Sequence, residues 1–199
     1  CFSFHYKRYT LKKNITYIIS DIDKALAFEW IAEAFQLEEG VVLSFILLNK
    51  GDSALERFLR SKDIPVQRVR YSGKKDLISA LWKVRSILKK YKTQVVHCHL
   101  FDACIVGLTA AKSLGIKKRI FTRHHSDYHH VYFPRAVYYD KVISYLATDI
   151  IAISENVRQV LIQKENVKPS KVYLLHHGFH LDLFEDIPSE RVLALKNKY

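Results

Sequence analysis

Methionine is absent from the 199 residues, and glycine, proline and cysteine number only 6, 4 and 3. Three cysteines are too few for a disulfide framework. Cys98 falls in an apolar strand-like run and Cys104 in an apolar helix-like one, which reads as buried, reduced thiols and a cytosolic compartment. No apolar run approaches the ~18 residues needed to span a bilayer, and the opening residues do not read as a secretory leader. Also missing are G-x-G-x-x-G after the first strand, G-x-x-x-x-G-K-S/T and G-x-S-x-G, so the usual dinucleotide, P-loop and hydrolase-elbow signals are not there. The chain opens on Cys1; a fragment, an engineered start and altered methionines fit this equally.

Acid is in short supply. Lys and Arg total 32 against 20 Asp and Glu, a net charge of +12, while 49% hydrophobic content marks an ordinary globular chain. The excess is either a solvated basic surface or the footprint of an anionic partner: a nucleotide diphosphate, a nucleic acid or an acidic membrane face. It is concentrated in 74–92, an amphipathic helix pattern with Leu77, Leu81, Val84 and Leu88 on one face. There Lys74, Lys75, Lys83, Arg85, Lys89, Lys90 and Lys92 stand against one acid, Asp76.

Strand-length and helix-length runs alternate almost throughout. Strands are expected at 14–20, 41–48, 65–71, 94–100, 118–123, 149–154 and 171–176, and helices at 24–39, 53–61, 74–92, 102–114, 134–147 and 155–164. Ser53 (or Asp52) and Ser154 are placed to cap helix starts, Gly40 and Gly115 to end helices, and Gly107 to let a buried helix approach the sheet. This alternation predicts an α/β fold: a Rossmann-like three-layer α/β/α sandwich on a mostly parallel sheet of about seven strands. Residues 1–184 make one domain, and 185–199 read as a helix leaving it.

Ligands of such sheets bind beyond the carboxyl ends of the strands, and the histidines collect there. His97 and His99 close one strand, His124 and His125 another, His176 and His177 a third, with His129, His130 and His180 in the loops just after. Three readings stand side by side: satisfied core or loop residues, His97 above all; a metal site; and an anion and sugar site with imidazoles as hydrogen-bond donors. No helical histidine pair, C-x-x-C pair or carboxylate cluster was recognised beside them, which argues against metal. The basic charge and the helix N-termini at the same edge favour the third reading. The first turn, SDIDKA, either caps a helix or brings Ser20, Asp21 and Asp23 with their N–H groups to that edge. Tyrosines cluster at 128–145, beside the expected cleft, rather than interleaving with Lys/Arg as a nucleic-acid surface requires, so nucleic acid is not expected as a partner.

VVHCHLFDACIVGLTAA, IFTRHHSD, TDIIAISENVRQVL and KVYLLHHGFHLDLF stand in an order and spacing that resemble the N-terminal domain of family 4 glycosyltransferases, retaining enzymes of the GT-B fold. The similarity runs over roughly 14–184. It implies half of a GT-B fold, with a donor-binding domain beyond Tyr199 and no activity from this half alone. It implies a nucleotide-sugar donor, a glycan or lipid-linked acceptor, no metal and no further cofactor, and a role in cell-envelope polysaccharide or glycolipid synthesis at the inner face of a membrane. The family's Thr-x-His falls on Thr122-Arg123-His124 and makes His124 the catalytic candidate. The resemblance, with the sheet-edge reading, puts Ser20, Asp21, Asp23, His99, Asp102, Arg123, His125, Asp127, His177 and Gly178 among the substrate contacts. Two departures are plain. The usual Gly-Gly first turn is replaced by SDIDKA, and the Asn-Gly-Val-Asp of the last segment reads His177-Gly178-Phe179-His180. Gly178 is expected to allow a tight turn and Phe184 to pack the exit. A nucleotide-sugar epimerase of similar fold is the alternative enzyme.

Overall fold

A computed structural model describes residues 12–179 and 189–198. Seven strands form one sheet: β1 (Lys13–Ser20), β2 (Val41–Asn49), β3 (Val66–Arg70), β4 (Val95–His99), β5 (Lys118–Arg123), β6 (Asp149–Ala152) and β7 (Val172–Leu174). The order is β3-β2-β1-β4-β5-β6-β7 and every pairing is parallel. The order reverses between β1 and β4, which opens a crevice at the carboxyl edge where doubly wound folds hold ligands.

Strand alternation sorts side chains to two faces. Tyr17, Ile19, Phe45 and Leu47 build one core with Phe28 and Ala32 of α1 (Leu26–Gln36) and Leu55 and Leu59 of α2 (Ala54–Ser61). Ile18, Ile46, Val96, Cys98 and Phe121 build the other, under α3 (Leu77–Lys90), α4 (Phe101–Ser113) and α6 (Ala136–Leu146). Gly107 of α4 lies so close to the sheet that a Cβ there would meet Cys98 Sγ at 2.7 Å and Ile18 Cδ1 at 2.8 Å. Cys98 and Cys104 are both buried and free of disulfides.

Local chemistry moves several expected boundaries. α1 stops early because the Leu37 N–H bonds back to the Ala34 carbonyl and the Glu38 N–H to the Phe35 carbonyl; Gly40 is not left-handed and caps nothing. Lys74–Asp76 forms a 3₁₀ turn before α3. An unforeseen short helix, α5 (Tyr128–Tyr132), precedes α6, and β6 ends early because Ser154 caps α7 (Glu155–Gln159) by accepting from the Val157 N–H. Ser53 caps α2 as expected, and Gly115 takes a φ of 72° just past α4. α8 (Ser189–Lys196) falls within the expected exit segment, whereas Phe184 and the 180–188 stretch lie outside the described residues. Among the described residues no helix is long and apolar enough to cross a membrane.

Candidate active site

Parity along neighbouring strands assembles the site. β4 and β5 pair with His97 opposite Ile120 and His99 opposite Thr122, so His97, His99 and Thr122 share the face of Tyr17, and His124 continues that series one step past β5. His97 Nε2 bonds Thr122 Oγ1 at 2.8 Å inside the core, which makes it the satisfied core residue that the blandest reading anticipated. His99 Nδ1 lies 3.2 Å from His124 Nε2. Tyr17 stacks on His99 at 5.3 Å and Phe28 meets it edge-on at 4.8 Å, fixing its plane. His177, beyond β7, stacks on His124 with centroids 5.7 Å apart. Three strands therefore bring His99, His124 and His177 to one place. His5 and His180 lie outside the described residues.

Burial holds His97, His99 and His124 neutral. Burial drives His97 down to about 3, with His124 adding to it, and drives His124 to about 4, with His177 adding. His99 lies well below its usual range, first through burial and then through His97, His124 and His177. A neutral imidazole has one donor and one acceptor, and His124 can therefore orient a neutral or anionic sugar oxygen through the nitrogen that does not face His99. His99 Nε2 is buried without a partner.

The opposite parity carries Arg123 away from the cleft. Its guanidinium meets Asp140 at 3.0 Å and Glu165 at 2.7 Å and donates to the His125 carbonyl, and Arg123 is 3% exposed. Expected among the substrate contacts, Arg123 is instead the hub of a buried ion network that ties α6, the end of the α7 region and the loop after β5 together. His129 Nδ1 joins it 2.7 Å from Asp140, and His130 lies 3.3 Å from Glu165. Burial raises the Glu165 carboxyl above its ordinary range, with Arg123 opposing. His125, pushed to about 4 by burial and then Arg123, packs on His129 at 4.3 Å.

His125 and His129 stand four apart in the sequence but not on one helix, since α5 begins only at Tyr128, and with Asp140 they place potential metal-ligand atoms within 4.8 Å of one another. Asp140 is already neutralised by Arg123 on one side and bonded to His129 on the other. A divalent ion would have to displace both, and the guanidinium would repel it.

The first turn is braced rather than open. Ser20 Oγ accepts from the Ala103 N–H, capping α4 from across the sheet, and Asp23 Oδ1 accepts from the Ala54 N–H at the start of α2. The Asp21 N–H bonds the Leu48 carbonyl, and Asn49 clamps Ile22 through both its amide atoms. The N–H groups of Asp21 and Ile22 are thus not available to phosphates, and helix α1 starts only at Leu26, without a side-chain cap. Asp21 is exposed at a φ of 50°. Asp127 sits at the surface against Lys164 at 3.6 Å. Gly178 has neither a left-handed φ nor a neighbour that a side chain would strike, so the tight turn expected of it is not made. With His177 it faces Trp30 of α1 across a cavity of about 300 Å3.

Sequence reading missed the aromatic wall. Leu100, between β4 and α4, takes φ 68° and ψ 160°, a strained conformation of the kind that gathers at functional sites. It swings Phe101 into a position where that ring lines two cavities. One, of about 200 Å3, is bounded by Thr122, His124, His125 and Tyr128; the other, of about 700 Å3, by Tyr71, Asp102, Phe133 and Tyr139. Asp102 points to the second and accepts from Tyr71 Oη at 3.2 Å, while burial and then Asp102 push the Tyr71 hydroxyl up to about 12.

A sequence model described as Glycosyltransferase Family 4 matches residues 37–183, most of the chain. The chain belongs to glycosyltransferase family 4. Its sheet and helices are those of the N-terminal Rossmann-like domain of GT-B enzymes. Among solved structures it is similar to a glycosyltransferase from Rickettsia africae ESF-5, with a TM-score of 0.68 and 19% identity over 94% of this chain and 49% of that one. HepE from Anabaena, solved in complex with UDP, gives 0.66 and 15% over 93% and 49%. A UDP-GlcNAc 2-epimerase from Methanocaldococcus jannaschii gives 0.63 and 14% over 81% and 45%. The family 4 chain thus spans about half the length of the structures it matches. No curated protein sequence matches it.

Proposed function

We propose that this family 4 domain is the acceptor side of a retaining glycosyltransferase that takes a sugar from a nucleotide-sugar to a glycan or lipid-linked acceptor. One observation carries the reading: His99, His124 and His177, from three separate strands, converge at the carboxyl edge of a parallel sheet, with His99 and His124 held neutral. In the reaction a new bond forms between the acceptor oxygen and the anomeric carbon while the bond to the phosphate breaks. The departing nucleoside diphosphate takes the acceptor's proton, so this half needs no general base. His124 holds and polarises the reacting sugar, His99 fixes His124, and His177 and Gly178 border the sugar from the α1 side. Asp102 and the loop His125–Asp127 flank the acceptor, and Ser20, Asp21 and Asp23 shape the first turn beside it. Charge stabilisation by a fixed hydrogen-bond donor, effective in a site shielded from water, is the catalytic contribution. The basic face of α3 rests against the anionic inner surface of a membrane, where a lipid-linked acceptor would be met.

Nucleotide-sugar binding falls mainly to a second domain, so the 199-residue chain alone is expected to transfer no sugar from UDP-glucose, UDP-galactose or UDP-GlcNAc. Sustained transfer by it would overturn that division of labour. In a protein carrying both domains, His124→Ala should lower kcat/KM by roughly ten- to a thousandfold, the range for losing one transition-state donor. Unchanged kinetics would remove His124 from the mechanism. The likeness to epimerases gives the competing outcome a form: UDP-GlcNAc converted to its 2-epimer with no acceptor present would replace transfer by epimerisation.

A further inference from the structure

The cavity of about 700 Å3 falls within the roughly 300–1,000 Å3 of small-molecule sites, yet its walls offer little that would recognise a sugar. Leu77 of α3 and Phe101 and Ile105 of α4 form one side, and Phe133, Pro134 and Tyr139 the other. Phe133 and Tyr139 are exposed, an aromatic surface that the chain leaves without a cover among its described residues. The polar groups at the cavity divide sharply. Asp102 is already bonded by the protonated Tyr71 hydroxyl. Lys74 and Arg135, by contrast, are exposed lining residues with no ion pair to any described residue. An apolar hollow with two unpaired cations fits a ligand of one kind, a hydrocarbon chain ending in an anion.

The cavity is also connected to the chemistry. Phe101 lines both it and the smaller cavity that contains His124, and stands 5.5 Å from the His129 ring and 6.0 Å from Tyr139. A ligand with its chain in the larger space and its anion on Lys74 and Arg135 can extend a sugar past Phe101 toward His124. We infer that the cavity is the seat of a lipid phosphate, the anchor of a lipid-phosphate-linked sugar acceptor. Its role as part of the acceptor rests on the glycosyltransferase reading; its binding of the lipid phosphate does not.

The probes are farnesyl phosphate, farnesol and inorganic phosphate, each titrated calorimetrically into the 199-residue chain below the concentration at which micelles form. Farnesyl phosphate should bind at one saturable site about tenfold more tightly than farnesol, as one charge-assisted contact of about 1.4 kcal/mol gives. Inorganic phosphate should bind more weakly than either. Ile105→Trp and, at the outer wall, Ala136→Trp each fill the space. Both should weaken both farnesyl ligands about tenfold or more, with thermal unfolding showing that each variant is folded. Lys74→Gln with Arg135→Gln should bring farnesyl phosphate down to the affinity of farnesol and leave farnesol unchanged. Three results would overturn the inference: no saturable binding, binding indifferent to both tryptophans, or inorganic phosphate matching the lipid phosphate. Since no donor is needed, loss of binding beside intact transfer by a two-domain protein removes the cavity alone. Intact binding with no transfer removes only its role as acceptor anchor.

Discussion

His99 offers a choice of two protons, and its surroundings decide between them. If Nε2 carried the hydrogen, a buried N–H would be left with no acceptor, whereas a bare nitrogen there leaves only a weaker acceptor unmet. His99 is therefore expected to donate from Nδ1 to His124 Nε2, which puts the His124 proton on Nδ1, an atom with no partner among the described residues. Long-range proton–nitrogen spectra of the labelled chain would show it; a protonated Nε2 on His124 would reverse the assignment. The same rings set an acid limit. Below about 6.5 the unfolded chain takes up protons that the folded one refuses, so stability falls from there until about pH 4 to 3, where His124 and then His97 accept protons in the fold. Unfolding measured across that window should show the decline, and a flat profile would mean these histidines already charge in the native state. The sequence pointed to His99, His124 and His177 because each sits at a predicted strand end. It could not show Arg123 turning inward, since that depends on Asp140 and Glu165, distant in the chain. Asp140 did leave a trace: it falls on the apolar face of AVYYDKVISYL, where a lone acid needs a partner.

At the level of elements, period-two and period-3.6 patterns were enough for the sheet and for nearly every helix, because both faces of a parallel sheet must be buried and the strands read as apolar runs. What failed were ends and turns. Gly40 and Gly178 looked like turn makers, but glycine permits a left-handed φ without requiring it: the N–H groups of Leu37, Glu38 and Val41 close the first turn otherwise, and at Gly178 no tight turn is made. Ser20 likewise caps a helix, though α4 rather than the one that follows it in sequence. Gly107 is the case where shape demands glycine. Gly107→Ala should cost about 1–3 kcal/mol by overpacking against Cys98 and Ile18. In a domain of this size that is a fall of roughly 2–4 °C in Tm per kcal/mol. An unchanged Tm would mean that α4 can lift from the sheet freely, and the double change with Cys98→Ala should restore part of the loss.

Across the whole molecule the charge is uneven. On α3, Lys83, Lys89 and Lys90 are exposed beside Trp82 and Ile78, themselves 62% and 70% exposed, and the Arg85 guanidinium lies 5.8 Å from the Trp82 ring. An aromatic ring among lysines is the composition of an interfacial helix, and each cation near an anionic surface contributes about 1 kcal/mol, less as salt rises. The chain should co-sediment with vesicles containing phosphatidylserine and not with neutral ones. Lys83→Glu, Lys89→Glu and Lys90→Glu together should abolish this. Equal partitioning onto neutral vesicles, or none onto anionic ones at low salt, would leave α3 as plain solvated surface.

Phe101 is a party wall. One ring bounds the space around His124 and the space reached from Lys74 and Arg135, so neither room can be remodelled without the other's occupant noticing. A tail that tilts the ring reshapes the bay where the hydroxyl reacts. Tail length should then be legible in the turnover of a headgroup it never touches, and a truncated acceptor would be a slow one even at saturation.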